Sequence, residues 1–324
     1  MNLVDERIHE RILAKKLQLD SDRPLSEEIV GQLRRNMEIE YTYNSNAIEG
    51  NTLTLRETQL VIREGVTISG KSLNEHLEAK NHPKAIEYVE NLAESSSLSQ
   101  AEVLKVHEII FSGILENAGN YRNGQMHIEG SEYMPPPAFE VPGLMRELLN
   151  WLEKNPQELR PIEKAAVFHY RLVAIHPFDD GNGRAARLMM NLVLIRHGYP
   201  VTVIKNADRR RYYDTLRKAD SGDLKPFVNF IARCVEQSLD LCLNAVERST
   251  EEYKLLSLAD AAKLTPYSQE YLSLLARRGL VAATKMGKDW HVTPKALEDY
   301  LRNVQHRNRK PSASDKSGRK KRKR

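Results

Sequence analysis

The sequence predicts a mostly α-helical protein with one short β-hairpin set among the helices and a small module near the C-terminus. Three observations predict it. Apolar residues recur at helical spacing through most of the chain. Ser/Thr-x-x-Glu capping boxes open helices at Thr54, Ser72 and Ser99. Finally, Gly119, Gly124 and Gly130 punctuate β-prone pieces, and Pro135-Pro136-Pro137 forbids helix just beyond them.

The first helix expected, over 27–42, places Ile29, Leu33, Met37 and Tyr41 on one face, with Ser26 as N-cap. The capping boxes start helices running to about Glu64, Ala93 and Leu115, the second interrupted by Pro83. A β-hairpin is expected around Met126–Tyr133. Helices follow at about 142–153, 161–175, 184–197, 207–219 and 225–247, with Pro161 at a first helical position and Gly198 as a C-cap. This divides the chain into an N-terminal helical region (1–95), a core (96–247), a polar linker (248–256), a small module (257–302) and a basic tail (303–324).

The chain has 324 residues, 40% hydrophobic and 29% charged, which is an ordinary globular composition. No apolar run is long enough for a membrane span, and the N-terminus lacks the apolar stretch of a secretory leader. Cys234 and Cys242 sit about 12 Å apart on a helical pattern, too far for a disulfide. A reducing, cytoplasmic location and no membrane partner are expected. The net charge of +5 is uneven: from His306 onward there are ten Lys/Arg and a single Asp, leaving residues 1–305 at −4. Such a tail is either a solvated end or a polyanion contact.

Chemistry concentrates in His176-Pro177-Phe178-Asp179-Asp180-Gly181-Asn182-Gly183-Arg184-Ala185-Ala186-Arg187. His176 can act as a base near neutral pH. Asp180 is a hard oxygen ligand suited to Mg²⁺. Gly181 and Gly183 allow close backbone approach where a helix begins, and its free N–H groups attract anions. Arg184 and Arg187, three apart, share a face and can grip phosphates together. Those are the parts needed for transfer from a nucleoside triphosphate.

The segment resembles the signature of the Fic family, His-Pro-Phe-x-Asp/Glu-Gly-Asn-Gly-Arg-x-x-Arg, at all nine specified positions. The resemblance extends over roughly residues 25–245 and implies a Fic-type helical bundle with a β-hairpin flap. It implies AMP transfer from ATP, with Mg²⁺, to a hydroxyl side chain of a target protein. His176 would take the hydroxyl proton and Asp180 would hold Mg²⁺. Gly181, Asn182, Gly183, Arg184 and Arg187 would bind phosphates. Met126, His127, Ile128 and Tyr133 would hold the target by strand addition. Tyr212, Tyr213 and Asp220 would contact the nucleoside, although many relatives carry Asn where Asp220 stands. A kinase branch of the family has lysine in place of the second motif glycine, and Gly183 argues against that branch.

A second segment, Ser45-Asn46-Ala47-Ile48-Glu49-Gly50, reads either as a plain helix end or as the family's inhibitory motif. The motif implies that Glu49 holds Arg187 bidentately and displaces the γ-phosphate. Some relatives with this glutamate also remove AMP, and dimerisation often controls it in relatives, which makes a homodimer plausible here.

Residues 257–302 resemble a winged-helix or excisionase-like helix-turn-helix module, in which Arg277, Arg278, Lys285 and Lys288 would meet DNA. Residues 251–305 hold eight Lys/Arg against seven Asp/Glu, so the tail would have to supply the positive field. The sequence therefore supports an autoinhibited AMP transferase. The alternative is a DNA-binding regulator whose core senses nucleotide, and transfer of another nucleotide such as UMP also stays open.

Overall fold

The computed structural model describes residues 2–95, 98–128, 133–286 and 288–308. The chain divides into two compact units, Met1–Asn244 and Ala245–Arg324.

The first unit is helical. Its elements are α1 (Glu6–Ser21), α2 (Glu27–Ile48), α3 (Leu55–Glu64), α4 (Leu73–Ala93), α5 (Gln100–Ile110), α6 (Val141–Lys154), α7 (Pro161–Ile175), α8 (Asn182–Arg196) and α9 (Arg209–Asp220). A long helix, α10 (Lys225–Tyr253), begins in it. The capping boxes at Thr54, Ser72 and Ser99 all form, with both reciprocal hydrogen bonds present. The element that organises the unit is α8. It is buried on nearly every face from Asn182 to Leu194 and packs against α7, α4, α5 and α2.

Several elements differ from expectation for local reasons. Helix α1 was not anticipated. Asp5 caps it, Ile8, Ile12 and Leu19 bury one face, and Glu163 accepts the Leu3 and Val4 N–H groups. Helix α2 continues six residues past 42, because Ser45 and Ile48 are also buried, and so the Ser45–Gly50 motif is its last turn. Helix α5 stops at Ile110, ahead of Gly113 with φ +75°. Residues 248–253, expected as linker, are helical.

The expected hairpin around Met126–Tyr133 has its centre, 129–132, outside the described residues; the flanking residues 121–128 and 133–137 contain no strand. Among the described residues, side chains join the two arms. Gln125 Nε2 donates to the Pro135 carbonyl at 3.3 Å, and Arg122 donates to those of Gly124 and Pro136. Proline lacks the N–H that a ladder would use.

The second unit places α11 (Leu258–Lys263) and α12 (Gln269–Arg277) with β1 (Leu256–Ser257), β2 (Ala283–Met286), β3 (Asp289–Val292) and α13 (Pro294–Asn308). The strands form an antiparallel sheet in the order β1-β3-β2. Leu258, Leu272, Leu275, Val281, Val292 and Leu297 make its core. Among the described residues no helix is long and apolar enough to cross a membrane.

Candidate active site

The loop between α7 and α8 carries the motif. His176 ends α7 in the left-handed conformation, φ 52° and ψ 58°, which turns the chain sharply into Pro177. Its Nδ1 lies 3.3 Å from the Val173 carbonyl. A carbonyl only accepts, so Nδ1 carries the proton and Nε2 keeps its lone pair. Burial pushes the imidazole below its ordinary pKa. The Val173 carbonyl and the charges of Glu49 and Asp180 oppose that shift, and Arg122 adds to it.

Arg122, which sequence reasoning left without a role, holds this loop. It is buried. Its Nε donates to the His176 carbonyl at 2.7 Å, while its backbone N–H donates to Pro177. His107 was also missed. Its ring stacks on Phe178 at 3.8 Å, accepts the Gly119 N–H at Nδ1, and donates from Nε2 to the Asp180 carbonyl. Burial holds it neutral, at about 4. Neither residue has a local sequence signal, because their partners are far along the chain.

Gly181 opens α8 at φ +76°, and a Cβ there would lie 2.0 Å from the Phe111 ring. Only glycine fits. No side chain caps this helix N-terminus, so its first-turn N–H groups remain suited to an anion. Asn182 is the first residue of α8. Its side chain both accepts from and donates to the Phe178 backbone, at 2.9 and 2.8 Å, and the residue is buried. Only its main chain is left to meet a phosphate. Asp180 keeps its carboxylate mostly in solvent, 62% exposed, and 3.4 Å from Arg184 Nη2.

Both motif arginines are buried, each against a carboxylate. Arg184 lies over the Phe111 ring at 4.5 Å and donates from Nη1 to Glu78 Oε1 at 2.6 Å. Arg187 donates from Nε to Ser45 Oγ at 3.0 Å and from Nη2 to the Ser45 carbonyl at 2.8 Å, and its Nη2 forms an ion pair with Glu49 Oε1 at 2.8 Å. The expected bidentate fork with Glu49 is thus a single contact, because Ser45 takes the rest of that edge. Burial acts to lower the Arg187 pKa, but Glu49, Tyr212 and Tyr41 together outweigh it and the group stays charged. Glu49 Oε1 lies 2.3 Å from where a Cβ on Gly183 would be, so the glycine also makes room for this pair.

Tyr212, on α9, is buried, with its hydroxyl 3.1 Å from His169 Nε2 and its ring against Phe227 and Phe230. Tyr213 is half-buried beneath Arg209, and burial and the Glu49 charge raise its pKa. Asp220 lies with Tyr170 and Tyr133; burial raises its pKa and the Tyr170 hydroxyl partly opposes that. On the flap, Met126 and Ile128 are half-buried and His127 is exposed. Arg277, Arg278, Lys285 and Lys288 are exposed on the second unit.

Residues 97–194 match the Fic/DOC family model. A Fic domain containing signaling protein from Bacteroides thetaiotaomicron has a similar structure. It is 32% identical with a TM-score of 0.69, and the match covers 74% of this chain and 98% of that one. The chain belongs to the Fic/DOC family. A Fic family protein from Desulfovibrio desulfuricans is 26% identical with a TM-score of 0.65, covering 90% of this chain and 96% of that one. The protein adenylyltransferase Fic of Nematostella vectensis is 41% identical over 209 residues, which is 63% of this chain and 48% of that protein. The chain spans about half the length of the curated relatives it matches. The α7–α8 loop lies inside the matched segment, whereas the last turn of α2, which brings Glu49 to Arg187, lies N-terminal to it.

Proposed function

We propose that this Fic protein transfers AMP from ATP to a Ser, Thr or Tyr hydroxyl of a protein, and that Glu49 inhibits it. The observation that carries the proposal is a neutral His176, its Nε2 lone pair available, beside an uncapped helix N-terminus with two buried arginines. His176 Nε2 takes the proton of the target hydroxyl. That oxygen bonds to the α-phosphorus as the bond to the bridging oxygen breaks, and pyrophosphate leaves. Arg184 and Arg187 hold its charge together with the α8 N–H groups. The relatives named protein adenylyltransferase support the same reading.

Among the described residues no group of three or more His, Cys, Asp and Glu could hold a metal ion. The exposed Asp180 carboxylate fits Mg²⁺ nonetheless, since that ion uses one or two protein carboxylates with substrate phosphates and water. When bound it would neutralise phosphate charge.

Glu49 blocks this arrangement by occupying Arg187 beside Gly183, where its charge repels a terminal phosphate. In this reading the same carboxylate, one quarter exposed, would also orient a water for the opposite reaction, hydrolysis of protein-bound AMP. The test is incubation with Mg²⁺ and either α-³²P-ATP or γ-³²P-ATP, for wild type, Glu49→Gly, and Glu49→Gly with His176→Ala. Label from the α position only, strong in Glu49→Gly and lost with His176→Ala, is expected. Label from the γ position would mean kinase chemistry instead. Loss of label from a modified target on adding wild type, but not Glu49→Gly, would establish removal.

The exposed cations of the second unit favour a DNA contact as an additional reading. Affinity in a gel shift should then fall steeply with salt and weaken on deleting 306–324; an insensitive complex would refute it.

A further inference from the structure

The two motif arginines are held by two carboxylates, and the side chain of one residue, Asn51, ties the second carboxylate to the turn that carries the first. Glu78, on α4, accepts Arg184 Nη1 on Oε1 at 2.6 Å and Asn51 Nδ2 on Oε2 at 2.8 Å. Asn51 stands two residues after Glu49. Its Nδ2 also donates to the Glu75 carbonyl at 3.2 Å, and its Oδ1 accepts the Leu53 N–H at 3.0 Å. Its backbone N–H donates to the Asn46 carbonyl, while Gly50 donates to Ala47, which closes the end of α2. A circuit results: Glu49 to Arg187, one turn of α8 to Arg184, then Glu78, Asn51, and back to the turn that carries Glu49.

We propose that Glu78 and Asn51 couple the occupancy of Arg184 to the position of Glu49. The inference rests on the reading that Glu49 inhibits. The argument is electrostatic. Arg184 is 2% exposed, so its guanidinium is shared among few partners in a medium of low dielectric, where each hydrogen bond polarises the next. A phosphate oxygen arriving at Arg184 competes with Glu78 for that charge, and the two anions repel each other. Glu78 then loosens from Arg184 and shifts relative to Asn51. Asn51, together with Thr52 on Glu75, clips the α2 turn to α4, and Asn51 is the part of that clip that touches Glu78, so the turn loosens and Glu49 can leave Arg187. In the opposite direction, a held Glu49 keeps the clip closed. Glu78 is therefore a positioning residue for Arg184, and Asn51 is a latch on the inhibitory turn.

Two measurements test this, one of them independent of activity. By α-³²P labelling, Asn51→Ala should gain about tenfold over wild type, the effect of removing one charge-assisted hydrogen bond. In the Glu49→Gly background the same change should add nothing, because the inhibitory group is already gone. Equal labelling of Asn51→Ala and wild type, with Glu49→Gly activated, would overturn the coupling. So would loss of activity in the double variant, since Asn51 would then serve the active state. By hydrogen exchange, the Gly50 and Asn51 amides should exchange about tenfold faster in Asn51→Ala and, more tellingly, the same two amides in Glu78→Gln. Glu78 touches neither amide, so acceleration there reads the circuit itself. Acceleration with Asn51→Ala alone would reduce Asn51 to a helix cap and refute the proposal. If Glu49→Gly gains no label, the inhibitory reading has failed, and exchange in Glu78→Gln still decides whether the circuit exists.

Discussion

Glu49 Oε1 lies 2.8 Å from Arg187 Nη2 and occupies space that any side chain at Gly183 would claim. A carboxylate from the end of α2 thus reaches the first turn of α8 across the missing Cβ of a motif residue. Four consequences can be measured.

Removing Glu49 should separate stability from activity. Glu49→Gly leaves the buried Arg187 without its carboxylate, so the ligand-free protein should lose about 1–3 kcal/mol in denaturant unfolding. The same variant should gain AMP labelling. ATP should restore more stability to it than to wild type, because the phosphate replaces the lost anion.

Gly183→Ala should not mimic Glu49→Gly. Its methyl would lie 2.3 Å from Glu49 Oε1 and 3.0 Å from Arg187 Nη1, which expels the carboxylate. It would also narrow the approach of a phosphate to the helix N-terminus. Labelling should stay at or below the wild-type level. Gly181→Ala is more severe: φ +76° and a 2.0 Å contact with Phe111 should cost about 2–5 kcal/mol, read as a fall in denaturant midpoint.

Transfer should fall on the acid side at a pH below the ordinary histidine value of 6.5, because His176 is shifted down and must be neutral to accept a proton. The pH–rate profile of Glu49→Gly should place its acid limb there. An acid limb above 6.5 would mean that His176 is not the base.

Stability should also fall in acid, through three buried neutral histidines. Burial, with a smaller contribution from nearby motif arginines, lowers His107 to about 4, and His82 and His169 to about 3, from 6.5. Each folded value lies below the unfolded one, so the unfolded chain binds protons first. The stabilisation is complete above pH 6.5 and is lost as pH falls toward those values, on the order of 3 kcal/mol for His107 alone. Unfolding at pH 7 and pH 5 should show the loss. His107→Gln should be less stable at pH 7 but less dependent on pH.

Much of this was legible in the sequence. The capping boxes read correctly because both partners of each lie within one turn, so local spacing specifies them. The motif residues and Glu49 were legible because glycine at a left-handed turn, a base and a paired arginine leave few alternatives. The flap was legible only in part: glycine and β-prone residues suggest a ladder, but its centre lies outside the described residues, and the contacts of Arg122 and Gln125 with the Pro136 and Pro135 carbonyls have no local signal.

The sequence by itself determined the helical class, the α7–α8 loop with its nine motif positions, and the presence of a carboxylate suited to Arg187. The tertiary structure alone decided which atoms meet. It showed that Asn182 clamps Phe178, that Tyr212 is buried on His169, and that Ser45 leaves Glu49 a single contact with Arg187. It also found Glu78, 106 residues from Arg184, and His107, 73 residues from Asp180. The physical reason is one of range. Caps and turns are chosen by neighbours within a few residues, whereas a buried charge takes whatever partner the packing of distant helices brings within hydrogen-bond reach.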